Sequence, residues 1–166
     1  MVEAGIVLED ERVELIGGEL VPMSPKGNRH EVLKTKLMIE WARRLPDGVL
    51  FTPETTFRLS DDTYLEPDFT FYDASVGLRG LNGDNALLVV EIADSSFAYD
   101  IGRKAGLYAS FGIREMWVIH AVRLDTRIHR QPSEDGYRDV ADFPSSVTLT
   151  PYLLPSLAIR LTDFAD

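Results

Sequence analysis

The stretch Leu87-Leu88-Val89-Val90-Glu91-Ile92-Ala93 is apolar at every position except Glu91. A short run of branched residues with no polar face predicts a strand in the middle of a sheet. An ionised carboxylate in such a strand is costly unless it is neutralised, paired or coordinated. Glu91 therefore reads as half of a structural ion pair, as a strand end that reaches solvent, or as part of a site.

Reading outward favours the last of these. Upstream, Pro67 is followed by Asp68-Phe69-Thr70-Phe71-Tyr72, an alternating strand that opens on a carboxylate. Two carboxylates at the ends of neighbouring strands converge on one point, and their repulsion calls for a cation. Hard oxygen ligands suit Mg²⁺ or Mn²⁺, and such a metal activates water and stabilises charge on a phosphoryl group. Downstream, residues 101–111 predict a short helix closed by Gly112. Asp100, Lys104, Leu107, Tyr108 and Phe111 share one face of it. Lys104 reads either as an ordinary i,i+4 partner of Asp100 or as an ammonium that orients a nucleophile and stabilises developing charge.

The remaining pattern is a mixed α/β layer fold, a mixed sheet flanked by helices. Residues 12–23 form a hairpin around Gly17-Gly18. Residues 30–45 form the clearest helix, with Leu33, Leu37, Trp41 and Leu45 every four residues and Pro46-Asp47-Gly48 as its stop. Residues 49–59 read as one strand, 115–120 as another, 126–129 with 137–141 as a hairpin, and 157–161 as a last edge strand. There is no repeat or linker. The expected organisation is one domain over 1–166: an N-terminal hairpin in 1–25, a core in 26–122, and a C-terminal hairpin and edge strand in 123–166.

Composition excludes several classes. The chain has 166 residues and no cysteine, so a disulfide framework, a thiolate nucleophile and a Cys-ligated metal are ruled out. The longest uncharged aliphatic run, residues 86–90, is far short of the ~20 needed to span a bilayer. Residues 1–4 lack the basic and apolar regions of a signal peptide, so a cytoplasmic protein without membrane association is expected. The net charge of −10 argues against a protein that coats nucleic acid through a global positive field. The charge is segregated, however. Residues 47–102 carry eleven acids and two bases, whereas residues 26–46 and 103–130 each carry six bases and two acids. The basic segments read as solvated faces or as places where a phosphate backbone is met.

Pro67-Asp68 followed by Glu91 within Val89-Val90-Glu91-Ile92 resembles the PD-(D/E)XK nuclease fold. In more detail the chain resembles the Uma-type family of restriction-endonuclease-like proteins, a domain of unknown function. The resemblance is carried by Arg12-Val13-Glu14-Leu15-Ile16-Gly17-Gly18-Glu19-Leu20, Met23-Ser24-Pro25, His30, Glu54, Pro67-Asp68, Leu88 to Ile92, Lys104 and its flanks, and Gly112-Ile113-Arg114-Glu115-Met116-Trp117-Val118-Ile119. Two positions depart from pattern. The nuclease motif places lysine two residues after the acid, where this chain has Ala93. In the Uma-type family the lysine lies on the following helix, which matches Lys104. The family usually has Asp where this chain has Gly17, a turn position that reads as structural.

The resemblance implies a restriction-endonuclease-like core and Mg²⁺- or Mn²⁺-dependent hydrolysis of DNA phosphodiesters. Asp68 and Glu91 would bind the metal together with the backbone carbonyl of Ile92, and Lys104 would assist electrostatically. Glu54, His30, Asp100 and Tyr108 form a second tier. Glu54 either completes the acid cluster or pairs with Arg58 or Arg79. His30 either caps the helix or lines the site. Tyr108 reads as packing, and His120 and His129 as incidental. The resemblance also implies a homodimer. The alternative is a catalytically inactive nuclease-fold module that binds nucleic acid or another protein as a dimer.

Overall fold

The computed structural model describes residues 12–23 and 25–165. Residues 1–11, on which the signal-peptide reading partly rests, and Ser24 of the Met23-Ser24-Pro25 motif lie outside the described residues.

The chain begins with the hairpin β1 (Val13–Ile16) and β2 (Glu19–Pro22). Gly17 (φ +57°) and Gly18 (φ +83°) supply the two left-handed residues that such a two-residue turn requires. Helix α1 (Asn28–Arg44) follows, then β3 (Val49–Pro53), β4 (Phe57–Ser60), β5 (Thr63–Leu65), β6 (Phe69–Asp73) and β7 (Ala86–Ala93). A helical segment over residues 97–110 carries the chain to β8 (Glu115–His120). The hairpin β9 (Thr126–Ser133) and β10 (Gly136–Phe143) comes next. A two-stranded ribbon of β11 (Thr148–Leu149) and β12 (Ile159–Arg160) ends the fold.

Six strands form the large sheet in the order β10-β9-β8-β7-β6-β3, and four form a small sheet in the order β2-β1-β5-β4. Only β7 and β8 pair in parallel within the large sheet, joined by the 97–110 crossover. The Glu91 strand is interior, as its apolar run predicts. Its side chains alternate between two cores. Leu88, Val90 and Ile92 pack with Leu33, Leu37 and Trp41 of α1 and with the C-terminal segment. Val89 and Ala93 face the opposite layer with Ala105 and Tyr108 of the crossover and Phe57 and Leu65 of the small sheet.

Three sequence expectations are corrected. Residues 49–59 are two strands, not one. β3 pairs with β6 in the large sheet and β4 pairs with β5 in the small one, with the switch at Glu54, whose φ is +49°. The crossover helix begins earlier than residue 101 and is not uniform, because Asp100–Lys104 is π-helical between two α-helical turns. Finally, residues 157–161 do not edge the large sheet. Pro155–Leu157 is a 3₁₀ turn, and Ile159–Arg160 pairs only with Thr148–Leu149. The alternation of Leu157, Ile159 and Leu161 is genuine, but it buries them against the α1 core rather than along a sheet edge.

Trp41 is the central packing residue of that core. It meets Phe69 and Phe71 edge-on at 5.0 and 5.3 Å, and its indole N–H donates to the Leu157 carbonyl at 3.0 Å. Trp41→Ala is expected to cost about 3–5 kcal/mol, the range for deleting a fully buried large side chain, read from urea unfolding. A loss below ~1 kcal/mol would mean that α1 does not pack as described.

Candidate active site

Besides the passage through α1 from β2 to β3, the chain changes between the small and the large sheet at Glu54, between β3 and β4, and at Glu66-Pro67-Asp68, between β5 and β6. The seam brings carboxylates from both sheets together. Phe69 pairs with Val90, so one step further along the antiparallel ladder Asp68 stands across from Glu91 on the same face. Asp68 Oδ2 accepts the Ile92 backbone N–H at 2.7 Å, in place of a ladder bond. Ala93 C=O bonds on the β8 side, to Ala121 N–H. The N–H and C=O of Ile92 therefore both leave β7 on the Asp68 side.

Lys104 reaches the seam from the π-helical turn. Its Nζ lies 2.7 Å from Glu91 Oε1, 3.1 Å from Glu14 Oε2 and 3.9 Å from Asp100 Oδ1. The extra residue of a π-helical turn, a feature frequent at functional sites, turns both Asp100 and Lys104 inward, and both are buried. Ala93, at the position of the motif lysine, packs with Ala105 on this face. Tyr108 donates its hydroxyl to Glu91 Oε1 at 2.9 Å, so it is both a packing residue and the second fixed donor to that carboxylate.

A second group of charges surrounds Asp68. Lys26 Nζ lies 2.8 Å from Asp68 Oδ1 and 2.9 Å from Glu54 Oε1. Lys34 Nζ lies 2.6 Å from Glu54 Oε1. His30 Nε2 is 3.0 Å from Asp68 Oδ1, at an angle that leaves this buried nitrogen without a directed hydrogen bond, and its Nδ1 is 3.2 Å from Glu31 Oε1. Glu54 therefore pairs with Lys26 and Lys34, with Arg12 at 3.8 Å, and not with Arg58 or Arg79. A cavity of about 300 Å³ opens onto both groups, lined by Glu14, Lys26, His30, Asp68, Glu91, Asp100 and Lys104 among others.

Lys26, Lys34 and Lys104 belong to the segments read as solvated or phosphate-facing. Lys34 and Lys104 are buried, and all three face carboxylates. Arg29 and Arg103 remain exposed. Glu14 and Lys26 were not foreseen as site residues. Glu14 shares the inward face of β1 with Ile16 two residues on, and Lys26, His30 and Lys34 are spaced four apart through the start of α1. Both patterns were visible, but an acid on a four-residue strand gives no sign of what it faces. His120 Nδ1 accepts the Val122 and Arg123 backbone N–H groups, and His129 Nδ1 contacts the Met116 carbonyl.

Electrostatics divide the site. Burial opposes ionisation of Asp68, but His30 and Lys26 outweigh it and hold the carboxyl down at about 2. Glu91 goes the other way. Burial, reinforced by Asp100, Asp68 and Glu14, outweighs the attraction of Lys104 and raises its carboxyl to about 8. Asp100 is likewise raised to about 6, chiefly by burial. Burial opposes the charge on Lys104, but three carboxylates raise its pKa above the ordinary lysine value, so it stays an ammonium. Among the described residues no three His, Asp or Glu side chains form a closed ligand cage. Both Asp68 oxygens are engaged, Oδ2 by the Ile92 N–H and Oδ1 by Lys26, and Glu91 Oε1 accepts from Tyr108 and Lys104.

The fold is that of the restriction-endonuclease-like proteins. Residues 5–162 match the model of the Uma2 family, described as "Putative restriction endonuclease", and the chain belongs to that family. A solved structure described as "a putative nuclease belonging to DUF820 from Anabaena variabilis" superposes with a TM-score of 0.78 over 98% of this chain and 94% of that one. The two are 11% identical, so the likeness is one of fold. No match was found among curated proteins.

The raised Glu91 carboxyl has a direct consequence for stability. Its folded-state value, about 8, lies above its ordinary 4.5. The proton is bound more tightly in the folded chain, so this contribution is complete below about pH 4.5 and is lost as pH rises to about 8. Without added metal, Tm is expected to fall between pH 5 and 8, and Glu91→Gln is expected to flatten the decline. A wild-type Tm that rises across this window would contradict the assignment.

Proposed function

We propose that the chain is a divalent-metal-dependent nuclease that hydrolyses DNA phosphodiester bonds. The observation that carries this reading is the meeting of Asp68, Glu91 and Lys104 in one cavity. Two carboxylates come from neighbouring strands, and a lysine comes from the crossover that joins β7 to β8. The donor set fits Mg²⁺ or Mn²⁺: hard oxygens only, with one or two carboxylates leaving room for water. Excess buried carboxylate favours a cation further, since Glu14, Glu91 and Asp100 share one ammonium.

Asp68, Glu91 and the Ile92 carbonyl would hold the metal. When bound, it would activate water and neutralise charge on the phosphoryl group. The other roles fall to the chain itself. Asp68 is kept ionised and aimed by the Ile92 N–H. Tyr108 and Lys104 both donate to Glu91 Oε1 and fix the rotation of its carboxyl group. Lys104 retains its proton, so its role is that of an electrostatic donor. It orients the attacking water and stabilises negative charge as it develops on phosphorus-bound oxygen, and it does not act as general base. Asp100 and Glu14 are positioning residues that hold Lys104.

The homodimer expected from the resemblance and a cytoplasmic location belong to the same proposal. No described helix is long and apolar enough to cross a membrane. A monomer mass by light scattering at working concentration would remove the dimer.

The test is cleavage of supercoiled plasmid by purified protein with Mg²⁺ or Mn²⁺. Asp68→Ala and Lys104→Met are each expected to lower the rate at least ~100-fold, the scale of losing one electrostatic contributor. Equal cleavage by wild type and Asp68→Ala would identify a contaminant and refute the reading. Metal binding without cleavage would favour the inactive binding module.

A further inference from the structure

Lys26 stands where a cation is needed. It lies in the segment between β2 and α1, outside any helix or strand, and its side chain is 14% exposed. Its ammonium touches Asp68 Oδ1 at 2.8 Å. The other oxygen of Asp68 is engaged by a backbone N–H, a donor that cannot withdraw without moving the strand. Oδ1, which His30 Nε2 also approaches at 3.0 Å, is therefore the atom at which an incoming cation would bind. A divalent ion and an ammonium bound to one oxygen repel strongly in a buried setting. Lys26 also has a second partner. Glu54 Oε1 lies 2.9 Å away, and Glu54 is tied to this place by its own N–H, which donates to the Asp68 carbonyl at 3.1 Å. Leaving Asp68 would not leave Lys26 unpaired. Lys104, in contrast, is buried and held by three carboxylates, so it stays in place.

We infer that Lys26 is the resident counter-ion of Asp68, competes with the divalent cation for Oδ1, and shifts onto Glu54 when metal enters. This rests on the metal-dependent reading proposed above. Lys26 thereby sets the metal concentration at which the site fills. Below that concentration the site is closed by the protein's own ammonium.

Titration calorimetry with Mn²⁺ alone, on the full chain at fixed pH and salt, tests it. Lys26→Met is expected to bind Mn²⁺ about tenfold more tightly than wild type, the scale of one charge-assisted contact no longer displaced. Lys26→Arg, which keeps the charge, is expected to stay within about twofold of wild type. Adding Asp68→Asn to Lys26→Met is expected to abolish the gain. Binding by Lys26→Met with none by wild type would support the inference more strongly still. If wild type binds Mn²⁺ and Lys26→Met binds it equally or less well, the inference is overturned while the metal site stands. If neither protein binds, both the inference and the metal-dependent reading fall. Lys26→Gln, which keeps a hydrogen-bond donor for Glu54 without the charge, replaces Lys26→Met should that variant not fold. Circular dichroism verifies folding in each case.

Discussion

Three buried carboxylates, Glu14, Glu91 and Asp100, surround a single ammonium, Lys104, with Asp68 across the strand from Glu91. Burying so much like charge is unfavourable, and one lysine does not offset it. The molecule answers in two ways. It raises the carboxyls of Glu91 and Asp100 toward the neutral form, and it directs Lys26 and His30 onto Asp68. Such opposite displacement of neighbouring carboxyls is a pattern that functional sites share with buried ion-pair networks. Glu115, by comparison, is equally buried but fully partnered by Arg130, the Trp117 indole and the Tyr152 N–H.

The seam between two sheets makes this arrangement possible. β3 to β4 and β5 to β6 both change sheet beside the site. The change at Glu54 places a non-glycine residue at φ +49°, a conformation that is unfavourable for it and is retained by the Lys26 and Lys34 contacts around it. At Asp68 the change ends the regular ladder one residue early, so a carboxylate takes the Ile92 N–H. On the β7 side the crossover contributes its π-helical turn. Lys104 thereby reaches Glu91, Glu14 and Asp100. The Lys104 ammonium contacts Glu91 from the crossover rather than from the strand.

Much of this was legible in the sequence. The apolar run around Glu91 gave its interior strand, and the four-residue stripe gave α1 with Leu33, Leu37 and Trp41 inward. Pro67-Asp68, Glu91 and Lys104 stand out as a set in the sequence, and Asp68, Glu91 and Lys104 line one cavity. What remained hidden depended on three-dimensional partners. Residues 49–59 alternate well enough to suggest one strand, because a change of sheet leaves little trace in polarity. Residues 157–161 alternate because they cross an apolar face. A π-helical turn changes the phase by one residue, which an eleven-residue pattern does not resolve. Lys26 and Lys34 look like surface charge in the sequence because only the fold reveals that Asp68 and Glu54 lie opposite them.

The central claim is that Asp68 and Glu91 form one cation site beside Lys104. The most direct measurement is anomalous scattering from crystals of the wild-type protein soaked in Mn²⁺. A single strong peak within coordination distance, about 2.0–2.3 Å, of Asp68, Glu91 and the Ile92 carbonyl is the predicted result. Absence of any peak in this cavity at saturating Mn²⁺ would contradict it.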